Sequence, residues 1–216
     1  MYSIEQWEGA DPMQASCSTK TLFDGGPTYP LRHRLLRLCW NIVWLLACAW
    51  TPRQFSGWRR LVLRAFGARM EKGANVHGSA RIWLPSNLVM MERSIIGGRA
   101  EIYNTATVTL MRQALVSQGA HLCAGTHDYT HPDFPLVTKP ITIGRNAWIC
   151  SKAIVGPGVT VGDNSVLGAG AVAFGDLLEN GVYAGNPAVR IKDRWPNAGL
   201  GHGGDRRRAE AQSADG

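Results

Sequence analysis

The sequence lacks an apolar run long enough to cross a bilayer. Its longest uncharged stretch near the N-terminus, Leu38 to Pro52, is 15 residues, against the roughly 20 that a spanning helix needs. The first 29 residues carry neither the basic start nor the apolar centre of a secretory signal. Cysteine is sparse: Cys17, Cys39, Cys48, Cys123 and Cys150 form an odd set with no metal-type pair spacing. Reduced thiols, no metal and a cytoplasmic setting are therefore expected. Acidic residues are outnumbered by basic ones, 16 to 23, for a formal charge of +7. The excess sits between Arg32 and Arg69 and in the C-terminal tail, which suggests an anionic surface or phosphate groups nearby. No nucleic acid partner is expected, because aromatic residues are not interleaved with that charge on any nucleic-acid module.

What is present is a repeat. From Ile143 an aliphatic residue returns every sixth position, at Ile149, Val155, Val161, Leu167 and Ala173. Glycine follows at Gly144, Gly156, Gly162 and Gly168, and a small or branched residue stands four after the mark at Ala147, Ala153, Val159, Ser165 and Ala171. A helix would repeat at about 3.6 and a strand at about 2. A sixfold phase instead suits a three-sided solenoid, with short strands on its faces and turns at its corners, stacked at roughly 4.8 Å. The pattern begins more weakly near Val76, with marks read at Leu84, Met90, Ile96 and Ile102. After a slip of two it resumes at Leu110, Val116 and Leu122. Four to five coils are expected.

The rest of the chain divides around this domain. Residues 1–29 read as an extended arm with a Gly-Pro cluster. Residues 30–71 read as helical. Leu31, Leu35, Leu38, Ile42, Leu45 and Ala49 fall on one stripe, and Thr51-Pro52 should end that helix. Two placements are open for it. It packs against the solenoid or a partner subunit, or it lies peripherally at the inner face of a membrane, with Arg32, Arg34 and Arg37 on anionic headgroups and Trp40, Trp44 and Trp50 at the interface. GWRRLVLRAFG (Gly57–Gly67) reads as a second short helix with a solvated arginine face. The solenoid is expected over 72–182, with a loop at 123–140 because Leu122 and Ile143 stand out of phase. Long loops on rigid scaffolds commonly carry chemistry. Residues 183–195 should cap the last coil, and 196–216 read as a disordered tail.

The loop GTHDYTHPDFPLVTKPITIG (Gly125–Gly144), with NAWIC, VGPGVTVGDNSVLGAGAV and AGNPAVRIK, resembles the hexapeptide-repeat acyltransferases. Within them it is most similar to colanic acid and exopolysaccharide acetyltransferases of the WcaF type. The resemblance covers roughly Leu31 to Arg194. It implies an all-β main domain, a left-handed parallel β-helix with N-terminal α-helical segments, and transfer of an acetyl group from acetyl-CoA to a saccharide hydroxyl. It also implies a homotrimer with each site shared between adjacent subunits.

By the same resemblance His127 matches the catalytic base; a sugar hydroxyl is a weak nucleophile unless its proton is removed as it attacks, and histidine titrates near working pH. Asn104 resembles a substrate-binding asparagine and Trp148 an aromatic that lines the acyl and sugar site, while Asp128, beside His127, is read as binding sugar hydroxyls, orienting an imidazole or capping a turn. Ser151, Ala169 and Gly170 would lie along the pantetheine arm of CoA, with Arg190, Lys192 and Arg194 near its phosphates. Cys150 and Phe174-Gly175-Asp176 depart from the usual pattern of the family. Two other readings share the prism: a noncatalytic scaffold in a membrane-associated complex, and a zinc lyase of the γ-carbonic anhydrase type built on His121, His127 and His131.

Overall fold

Two-residue strands separated by tight turns cannot form a flat sheet; they close on themselves. A computed structural model of the chain describes residues 29–195, and in it the strands stack as three parallel faces of a left-handed prism. In the most regular part Ile143 pairs with Val161, Ile149 with Leu167 and Val155 with Ala173, one on each face and 18 residues apart. All six side chains are buried at 0–2% exposure, and each of them but Ala173 contributes about 1.5–3 kcal/mol by leaving water. The first face holds five strands, from Arg69–Met70 to Thr160–Val161. The second runs from Asn75–Val76 to Gly181–Ala184, and the third from Arg81–Ile82 to Val172–Ala173. We call the edges between them first (faces one and two), second (two and three) and third (three and one).

Turns at the first edge need one residue in the left-handed region, which asparagine tolerates better than most side chains. Asn146, Asn164 and Asn180 occupy it with φ of 55°, 59° and 58°. Their amides form a ladder: Asn146 Nδ2 donates to Asn164 Oδ1 at 3.1 Å and Asn164 Nδ2 to Asn180 Oδ1 at 3.0 Å. Arg194 donates to the carbonyls of Asn146 and Asn164 at 2.7 and 3.1 Å. That guanidinium therefore tethers the end of the described chain to the first edge, and is not held ready for a phosphate. Before it, Val189–Asp193 folds back antiparallel on Gly181–Ala184 and caps the stack.

The N-terminal coils differ from the sequence reading in one respect. Leu84 is not a strand position; the third-face mark is Ile82, which pairs with Ile102. The slip of two therefore occurs twice, between Ile82 and Met90 and again between Ile102 and Leu110. At the first slip the chain makes a short 3-10 turn, Pro85–Asn87. The two enlarged corners lie one above the other on the third edge and are stitched together by Asn104 and Asn87. The first strand, Arg69–Met70, also precedes the boundary expected at residue 72.

Helix α1 (Leu31–Ala47) docks on the prism, by the face opposite to the one expected. His33, Trp40 and Trp44 are buried, and the two indoles donate to the carbonyls of Ile82 and Ala80 at 2.7 and 3.1 Å. Trp40 and Trp44 are thus structural anchors and do not face a membrane. The leucine stripe points away from the prism. A tryptophan buries more area than a leucine and satisfies an edge carbonyl as well, so the aromatic face takes the prism.

Helix α2 (Ser56–Ala65) corrects the second expectation, because Arg59 is not solvated. It is 1% exposed and donates to the carbonyls of Val76, Thr51, Pro52 and Arg53 and to the Thr51 hydroxyl. The arm and tail readings fall on residues 1–28 and 196–216, outside the described part.

Candidate active site

The phase break between Leu122 and Ile143 is an antiparallel hairpin standing off the third edge. Gly125–His127 pairs with Leu136–Thr138, with His127 opposite Leu136. Its foot is closed by Lys139 N–H donating to Ala124 O at 2.9 Å. A Cβ at Gly125 would lie 2.6 Å from Thr105 Oγ1 and 3.1 Å from the Tyr103 ring. Only glycine lets the hairpin leave so close to the enlarged corner beneath it.

His127 is half-buried on this hairpin. Its Nδ1 lies 2.9 Å from the carbonyl oxygen of Phe134, and the two rings stack with centroids 4.8 Å apart and 6° between planes. A carbonyl can only accept, so Nδ1 carries the hydrogen and the neutral ring keeps its lone pair on Nε2. This is the tautomer of a base. Phe134 reaches that position at φ 48°, in the left-handed region that a phenylalanine seldom enters. Sequence reasoning missed Phe134; the only signal was its place between Asp133 and Pro135 in the loop.

The other loop residues sort differently. Asp128 Oδ1 accepts from the Thr130 N–H at 2.9 Å and the Thr130 hydroxyl at 2.6 Å, capping the hairpin turn. Those two bonds hold its carboxyl below the usual range. The imidazole of His127 is hydrogen-bonded to Phe134 O and not to Asp128. His131 Nδ1 accepts from Asp133 N–H at 3.1 Å on the surface. His121 lies on the third face, and among the described residues no group of three or more His, Cys, Asp or Glu side chains is placed to hold a metal.

Asn104 is fully buried. Its Oδ1 accepts from Leu84 N–H at 3.0 Å and its Nδ2 donates to Leu84 O at 2.6 Å, so its amide joins the enlarged corners and is not presented to a ligand. Trp148 is on the second face, 40% exposed, with its indole N–H on Ser117 Oγ at 2.8 Å.

The positions matched to CoA lie on the second edge. Ser151 Oγ donates to Gln118 O at 3.0 Å and Gly170 N–H to Ser151 O at 3.0 Å. Gly170 has φ +67°, with open space where a Cβ would be, and Ala169 is exposed. This low strip of backbone suits a long, thin ligand lying along the prism. Arg190 is engaged with Asp193 at 2.6 Å and Lys192 is exposed, both on the capping strand. Burial pushes the Cys150 thiol up, which keeps it protonated and a poor nucleophile.

Within one chain, then, His127 hangs from the third edge while the positions matched to CoA lie on the second. They are not brought together. Between those edges, on the third face, a groove of about 810 Å³ runs under α1. Arg37, Trp83, Tyr103, His121 and Cys123 line it, and Cys123 lies two residues before the hairpin.

A three-sided parallel coil with an imidazole on a protruding arm defines the class of left-handed β-helix transferases. Residues 140–174 match the family model described as bacterial transferase hexapeptide, six repeats. Over 155 residues the chain is 35% identical to the "Putative colanic acid biosynthesis acetyltransferase WcaF" of Escherichia coli K12, spanning 72% of this chain and 85% of that one. It is 32% identical over 124 residues to the galactoside O-acetyltransferase of the same organism, covering 56% and 55% of the two chains. A galactoside acetyltransferase solved with coenzyme A superposes at TM-score 0.67 and 25% identity, over 77% of this chain and 84% of that one. A maltose O-acetyltransferase from Clostridium difficile 630 superposes at 0.68 over 76% and 89%; at 23% identity it shows the shared fold. The chain belongs to the hexapeptide-repeat acetyltransferases.

Proposed function

We propose that this acetyltransferase moves the acetyl group of acetyl-CoA to a hydroxyl of a saccharide, in exopolysaccharide biosynthesis in the cytoplasm, with His127 as general base. The observation that carries the reading is the bond from Nδ1 to Phe134 O, which leaves Nε2 as the acceptor. The names of the relatives support the sugar and the acyl donor, and the coenzyme A complex of a structural relative supports the donor.

Nε2 takes the proton as the sugar oxygen attacks the thioester carbonyl. The carbonyl oxygen gains the charge, which a backbone N–H is suited to stabilise. The intermediate collapses by breaking the carbon–sulfur bond, and the imidazolium returns its proton to the departing thiolate. An ester and free CoA result. No covalent acyl-enzyme is needed, in keeping with the protonated Cys150.

Because the second and third edges are apart in one chain, the complete site is formed between copies, and a homotrimer is the closed arrangement that gives three equal sites. In it the hairpin of one copy meets the strip at Ser151, Ala169 and Gly170 of the next, with Arg190 and Lys192 near the CoA phosphates and Trp148 and Asp128 toward the sugar. Release of CoA thiol from acetyl-CoA with saccharide acceptors tests the reading. His127→Ala should lower turnover by about 10²- to 10⁴-fold. Equal rates for the two proteins would remove His127 from the mechanism.

A further inference from the structure

The stripe that docking leaves outside is the most apolar surface of α1. Leu31, Leu35, Leu38, Ile42, Leu45 and Leu46 are each 48–68% exposed along it. The surface continues past the end of the helix. Trp50, 74% exposed, donates its indole N–H to Leu46 O at 2.8 Å, and Trp58 donates to Ala47 O at 2.8 Å. These two bonds hold both tryptophans at the end of the stripe. Phe55 and Leu61 are exposed on the segment that follows.

The segment that carries this surface has charge of one sign. From residue 29 to residue 70 there are eight arginines and no aspartate or glutamate. At about 3.6 residues per turn, Arg32 and Arg34 fall one to each side of the leucine stripe, both exposed. Arg53 is exposed just beyond Trp50. No helix among the described residues is long and apolar enough to cross a membrane, so α1 can lie on a bilayer but not span it. We propose that the outer face of α1, with Trp50 and Trp58, seats the protein on an anionic lipid surface, the leucines below the headgroups and Arg32 and Arg34 among the phosphates.

Charge decides between lipid and a second copy of the same face. Two such faces pressed together would set arginine against arginine with no carboxylate within the segment to compensate, which is unfavourable. An anionic headgroup supplies the missing charge, and exposed tryptophan suits the zone where apolar and polar layers meet. Lipid attachment is independent of the acetyl-transfer reading, since none of these side chains belongs to the His127 hairpin or to the strip matched to CoA.

Flotation of the full chain with vesicles tests it. Binding is expected to phosphatidylcholine vesicles carrying phosphatidylglycerol and not to pure phosphatidylcholine, and to weaken as salt is raised. Leu38→Ser with Ile42→Ser should lower the partition coefficient by roughly tenfold or more. Arg32→Gln with Arg34→Gln should lower it by about tenfold or more on anionic vesicles. Sedimentation and thiol release with a soluble saccharide, both without vesicles, should be unchanged in both double variants, because these side chains lie on the exposed face of α1. Failure to float with anionic vesicles, or equal flotation with both lipids, would overturn the proposal. So would a fall in oligomer mass in the variants, which would make the face a subunit contact.

Discussion

At His127 the partner that matters most is a backbone atom. A side chain could be exchanged for another acceptor, whereas the Phe134 carbonyl is held by the turn that Asp128 caps and by the ring stacked on the imidazole. Phe134→Ala keeps the carbonyl but removes the stacked ring. We expect kcat to fall by about ten- to a hundredfold through misplacement of the proposed base, with less change in KM for acetyl-CoA, as steady-state kinetics would show. An unchanged kcat would mean that the hairpin orients His127 without the ring.

A second histidine acts on stability. His33 is buried against Tyr29 and Trp83, with ring centroids 4.6 and 5.2 Å away. Burial, and then the Arg37 charge, lower its pKa. The folded chain therefore binds fewer protons than the unfolded chain as pH falls, and stability is full above about 6.5 and lost progressively below it. Melting temperatures at pH 7.5 and 5.5 should differ less for His33→Gln than for the parent protein. None of this was legible from the sequence, which shows a histidine among arginines but not which face of the helix turns inward.

At the scale of elements, Arg59 joins three pieces that the sequence presents as separate: the end of α1, the start of α2 and the first coil through Val76 O at 2.8 Å. A buried cation bonded only to carbonyls and a hydroxyl is costly to remove, because each orphaned buried acceptor costs about 1–3 kcal/mol. Arg59→Met should lower unfolding stability by about 3 kcal/mol or more in a denaturant titration. Arg59→Lys should recover little of it, since one ammonium cannot span the positions that the planar fork reaches.

The sequence showed the regular coils plainly, because from Ile143 to Ala173 each sixth side chain has the same inward environment and nothing interrupts the phase. It misled where an edge was longer. At Ile82 two extra residues pass through the turn at Pro85–Asn87, and hydrophobic Leu84, itself buried, imitates a mark. The docking face of α1 was misread for a related reason. Apolar periodicity reports that a helix has a greasy side, not which of two greasy sides finds a partner. The loop was located by its broken phase, but its pairing as a hairpin depends on residues that alternate too little to be seen, from Gly125 to Thr138.

For the whole molecule, the decisive fact is the separation of His127, the proposed base, from the strip matched to CoA. His127 leaves the third edge and Ala169 and Gly170 lie on the second, so a complete site within one chain would require the ligand to cross the third face. Shared sites give a sharper test than oligomer mass alone. Two variants, each expected to be inactive for a different reason, should restore one another when co-assembled: His127→Ala lacks the proposed base, and Ala169→Glu places a charged side chain on the strip. If each trimer site takes its base from one copy and its strip from the next, random mixing in equal amounts makes a site intact when both contributors are sound. That occurs in about a quarter of sites, so a mixture co-expressed from two inactive parents should regain about a quarter of the parent rate of thiol release. Sites built within a single chain would regain none, because every chain in the mixture carries one lesion.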